Sequence, residues 1–63
     1  MTFKELRTAQ GFINQQKFAE AIGKKNTTVS MWESGKSAPK LKDIAKIAKV
    51  LNVDALAILV CFE

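Results

Sequence analysis

Apolar residues recur along the chain at the spacing of one face of a helix, and no stretch alternates apolar and polar with the period of a strand. Phe3 and Leu6 mark the first face, Phe18, Ala19 and Ile22 the second, and Val29 with Trp32 the third. Leu41, Ile44, Ala45, Ile47, Ala48 and Leu51 mark a longer fourth. The segment after Asp54 is apolar nearly all round. The pattern predicts an all-α chain of five short helices. The first spans about Thr2 to Gln10, with Thr2 and Glu5 at capping-box spacing and Gly11 as the stop. The second spans about Gln15 to Ile22, with Asn14 as N-cap, Ile13 stapled onto Phe18, and Gly23 as a left-handed turn residue. The third begins at Asn26 or Thr27, with one of these residues as the cap, and ends at Ser34. Lys36 to Pro39 form a loop. The fourth runs from about Lys40 to Leu51, with Asn52 closing it, and the fifth from about Asp54 to Leu59.

Size and composition narrow the classes of function. The chain has 63 residues, 48% of them hydrophobic, which suits one small folded domain over 1–63 and argues against disorder. Cys61 is the single cysteine, so no internal disulfide forms and a reducing cytoplasm is expected. No secretory leader is evident, and the longest apolar run, Ala55 to Phe62, is too short to cross a bilayer, so no membrane role is expected. The chain has no histidine and no tyrosine, and its carboxylates show no motif spacing. No enzyme activity, cofactor or metal is therefore expected. Ten Lys/Arg against six Asp/Glu give a net charge of +4, which favours a polyanionic partner.

The stretch from Ile13 to Gly35 is the most informative. It sets two short helices around a tight glycine turn, with small Ala19 where they approach. Two helices joined this tightly cross steeply, and the outer face of the second projects. A helix of that diameter fits the major groove of B-DNA.

The string Gln15-x-x-Phe18-Ala19-x-x-Ile22-Gly23, followed by Val29-Ser30-x-Trp32-Glu33-x-Gly35, resembles the phage Cro/lambda-repressor (Xre) family of helix-turn-helix domains. The likeness extends from Phe3-Lys4-Glu5-Leu6-Arg7 to Leu41-x-x-Ile44-x-x-Ile47-Ala48. It implies a compact five-helix, lambda-repressor-like domain with the helix-turn-helix unit at about 14–34. It also implies a transcriptional repressor or regulator that binds operator DNA, usually as a dimer. By the same resemblance, Gln15 touches a phosphate and braces the recognition helix, whose base-reading positions are Lys25, Asn26, Thr27, Ser30 and Met31. Lys24, Thr28, Ser34, Lys36 and Ser37 match backbone-contacting positions.

Three departures from the family pattern stand out. The join Gly11-Phe12-Ile13 is one residue longer. Lys24-Lys25 replaces the usual Val-Ser, which removes a hydroxyl cap. Met31 replaces a polar or basic reader.

Other residues have plainer readings. Trp32 is expected in the core, and Glu33 is expected to bond to Arg7 or to a backbone N–H. Lys42, Lys46 and Lys49 share one face, expected to be solvated. Cys61 reads as a small hydrophobe. The apolar carboxyl end offers Leu56, Leu59, Val60 and Phe62 as dimer-interface candidates. The alternative is that Val60 to Phe62 fold back on their own chain. A homodimer on a palindromic operator is the expected assembly in a bacterial cell or phage-infected host. A competing function is an antitoxin or anti-repressor acting through the apolar carboxyl end.

Overall fold

A computed structural model describes residues 2–62. Its five helices are α1 (Phe3–Ala9), α2 (Gln15–Ala21), α3 (Asn26–Ser34), α4 (Leu41–Leu51) and α5 (Ala55–Val60), with no strand among the described residues. Three helix starts follow local sequence chemistry. The Thr2 hydroxyl accepts from the Glu5 N–H at 3.2 Å, while the Thr2 N–H donates to Glu5 Oε1 at 2.8 Å. Asn14 Oδ1 accepts from the Lys17 N–H, and Asp54 Oδ1 from the Leu56 N–H. Each side chain satisfies a backbone donor that the first helical turn leaves open.

The turn between α2 and α3 needs φ +70° at Gly23, where a side chain would be strained. Asn52 closes α4 at φ 56°, a conformation asparagine tolerates better than most residues.

The core draws on every helix: Phe3 and Leu6 from α1, Phe18 and Ala19 from α2, Val29 and Trp32 from α3, Ile44, Ile47 and Leu51 from α4, and Ile58 from α5, with Ile22 at the end of α2. All five aromatic side chains of the protein join one cluster, with Phe3 at its hub. Its ring lies 5.7 Å from Phe18, 6.3 Å from Trp32 and 5.3 Å from Phe62, the first two edge-on, an arrangement favoured by the ring quadrupoles. One residue of α1 thus ties together α2, α3 and the segment after α5. No helix is long and apolar enough to cross a membrane among the described residues.

Several expectations need correction. Ile13 does not staple onto Phe18, since it is 79% exposed, and Phe12 takes that place with its ring 5.6 Å from Phe18. The cause is Arg7, whose Nη1 donates to the carbonyls of both Phe12 and Ile13 and so fixes the direction of the join. Leu41 was expected inside but is 81% exposed, and Ala45 also faces out. The inward stripe of α4 begins only at Ile44, and Pro39 is the residue buried before it. Neither Asn26 nor Thr27 caps α3. The cap position is Lys25, which makes no side-chain cap bond, and the helix starts at Asn26.

Candidate nucleic-acid interface

The α3 helix is fixed from two sides. Val29 and Trp32 bury its inner face against the core. Glu33, the next residue, reaches Arg7: Arg7 Nε donates to Glu33 Oε2 at 2.7 Å. Arg7 is 2% exposed, and its guanidinium is shared between Glu33 and the carbonyls of Phe12 and Ile13. A buried ion pair repays its desolvation only when the remaining donors are also matched, and here they are. Glu33 Oε1 in turn accepts from Gln15 Nε2 at 3.0 Å. One carboxylate therefore links α1, the first residue of α2 and the last turn of α3.

The outer side of α3 carries Asn26, Thr27, Ser30 and Met31, all exposed, with Lys25 exposed at the cap. These are the five positions expected to read bases, and the structure brings them to one projecting edge. Met31 is 38% exposed. Because Lys25 supplies no capping oxygen, the first-turn N–H groups of α3 have no side-chain acceptor. They carry the positive end of the helix dipole, which favours an anion there.

The residues expected at phosphates fall into three groups. Lys36 and Ser37 are exposed in the loop after α3, but their N–H groups donate to the Met31 carbonyl, so only their side chains are free to meet a phosphate. The Ser34 hydroxyl likewise donates to the Met31 carbonyl at 3.2 Å. Thr28 and Gln15 are half-buried, and Gln15 has one of its two amide N–H bonds directed at Glu33. Lys24 is engaged elsewhere, with its Nζ 3.1 Å from Asp43 Oδ1 on α4. Sequence reading missed this pair. Asp43 lies in the first turn of α4, where its Oδ2 accepts from the Lys40 N–H at 3.1 Å, a local signal that could have drawn notice to it. Burial pushes the Asp43 carboxyl up, but bonds from the Lys24 ammonium and the Lys40 N–H outweigh this and hold it below its ordinary value.

At the other end of the chain, Leu56, Leu59 and Val60 stand at i, i+3 and i+4 on α5, 66%, 42% and 56% exposed. Phe62 differs from these three, since it is half-buried on Phe3. Cys61 is also half-buried, its thiol donates to the Ala57 carbonyl, and burial raises its pKa, which disfavours the thiolate. No group of three or more metal-binding side chains occurs among the described residues.

A polar helix held at its inner face and at its last turn, projecting between exposed lysines, defines a DNA-binding helix-turn-helix domain. The chain matches the helix-turn-helix family HTH_3, of Cro/C1 type, over residues 3–58 and belongs to it. It is accordingly a DNA-binding transcription regulator whose partner is double-stranded DNA. No curated protein and no solved structure gives a match.

Proposed function

We propose that the chain is a sequence-specific repressor of phage or bacterial type whose α3 enters the major groove of an operator. The outer edge of α3 carries this reading. It is polar and uncharged at Asn26, Thr27 and Ser30, and basic at Lys25, while its inner edge is buried. Asn26 has the amide geometry to pair with adenine, Lys25 donates to guanine, and Met31 offers an apolar contact to a thymine methyl. Gln15, Lys24, Thr28, Lys36 and Ser37 surround this edge and engage phosphates, while the Ser34 hydroxyl stays on the Met31 carbonyl. A nine-residue helix reads only a few base pairs, so a homodimer on a palindrome follows, its recognition helices roughly 34 Å apart. The apolar side of α5 supplies the contact between copies. A repressor of this kind acts in the cytoplasm, by occupying DNA that polymerase must reach.

Selection of bound duplexes from a random pool tests this reading. The expected result is a two-fold symmetric site, with log affinity falling steeply as log salt rises. Enrichment of no sequence, or affinity indifferent to salt, overturns it. The exposure of Leu56, Leu59 and Val60 favours a second reading, in which α5 binds another regulator and the chain acts as an antitoxin or anti-repressor. Substituting Leu56 and Leu59 by lysine separates the two. Loss of operator affinity supports the dimeric repressor, whereas intact operator binding with loss of a heterologous partner supports the second reading.

A further inference from the structure

We propose that Asp43 is a positioning residue for DNA binding, holding the Lys24 ammonium back from the duplex and thereby setting how much positive charge the helix-turn-helix presents. This role rests on the phosphate contact proposed above for Lys24. Lys24 sits between the Gly23 turn and the cap of α3, beside the projecting edge. Its Nζ lies 3.1 Å from Asp43 Oδ1, with the carboxylate side chain 15% exposed and the lysine 39%. The carboxylate is held from its other oxygen by the Lys40 N–H, so the oxygen facing Lys24 is already oriented.

Lys42 and Lys46 line the same crevice with Gly23, Lys24 and Asp43. Lys46 reaches the turn itself: a Cβ on Gly23 would lie 3.6 Å from its Nζ. Two further lysines thus line the crevice that holds the ion pair. Partly exposed ion pairs are weak, so a phosphate displaces this one at modest cost, and that cost is subtracted from DNA affinity. Asp43 thereby competes with the duplex for an ammonium beside the recognition helix. A bare lysine at position 24 would strengthen binding to every sequence alike, operator or not.

Four proteins test this: wild type, D43N, K24M and the double variant, each titrated with a non-specific duplex over a range of salt. Asparagine keeps an acceptor for the Lys40 N–H and removes only the charge. Should D43N fold poorly, Asp43→Ser, whose hydroxyl also accepts, replaces it. D43N is expected to tighten non-specific binding by about 2–5-fold, the scale of a surface ion pair. It should also steepen the slope of log affinity against log salt, by at most about 0.9, as Lys24 turns fully from Asp43 to a phosphate. K24M should erase that gain in the D43N background and change the wild-type slope by clearly less. Equal effects of K24M in both backgrounds, or no effect in either, overturn the role of Asp43 while leaving DNA binding intact. Absence of salt-dependent duplex binding by the wild type overturns the phosphate contacts as well.

Discussion

The α3 and α5 helices each turn one apolar side to the core, Val29 and Trp32 from the first and Ile58 from the second. Their outer sides are opposite in character. That of α3 is polar and flanked by Lys24, Lys25 and Lys36, whereas that of α5 is Leu56, Leu59 and Val60. They are also fastened differently. The last turn of α3 is held through Glu33 by charge-assisted bonds from Arg7 and Gln15, while the buried anchor of α5 is apolar. Burial decides where a helix sits. The unburied side, polar on α3 and apolar on α5, is what remains to meet a partner.

The largest effects are expected from breaking the two fastenings. Arg7→Ala leaves Glu33 nearly buried without its ion partner and strips two carbonyls of their donor, at a cost of about 3–5 kcal/mol in urea unfolding. Ile58→Ala should cost about 2–5 kcal/mol by opening a cavity. A loss below about 1 kcal/mol for Arg7→Ala would show that α3 is held by Val29 and Trp32 alone.

The outer side of α3 comes next. Asn26→Ala should relax preference at one base-pair position by about 1–3 kcal/mol while leaving unfolding unchanged to about 0.5 kcal/mol. Gln15→Ala should weaken binding to all duplexes alike. Because it also bonds Glu33, it should lower stability by about 0.5–1.5 kcal/mol. If Asn26→Ala weakens all sequences equally, the reading edge of α3 lies elsewhere.

On α5, Leu59→Glu should leave the fold within about 0.5 kcal/mol and shift sedimentation toward the monomer. An unchanged sedimentation profile would remove α5 from the interface.

The smallest effect is a pH dependence at the start of α4. The Asp43 carboxyl is held below its ordinary value, so unfolding raises its pKa and the unfolded chain binds the extra proton. Its contribution is complete above an ordinary value of about 4 and lost as pH falls through the folded value. The difference in melting temperature between wild type and D43N should therefore narrow below about pH 4. Glu5, lowered chiefly by its bond from the Thr2 N–H, should act in the same direction, weakly, because its carboxyl is fully exposed.

Much of the fold was legible along the chain because its signals are short-range. Capping pairs such as Thr2 with Glu5 lie within one turn, and the stripes of α2 to α4 repeat within a few residues. The positions at helix ends were not legible. Ile13 and Leu41 have the same apolar character as their buried neighbours, and only the surrounding elements decide whether anything covers them. The interface divides in the same way. Helical period identifies the outer edge of α3, since what lies between Val29 and Trp32 on the far side must project. Period cannot show that Ser34, Lys36 and Ser37 all direct donors at one carbonyl, or that Lys24 has an acidic neighbour on another helix.

The amino-acid sequence alone determined the number and type of the helices, the apolar side of most of them and the positive balance of charge, because periodicity, capping and composition act over a few residues or need no geometry. Tertiary structure alone decided that Arg7 is buried under two carbonyls and Glu33, that Phe62 closes onto Phe3, and that Asp43 reaches Lys24. These contacts join residues far apart in the chain, and their strength depends on distances and on exclusion of water that exist only once the helices have packed.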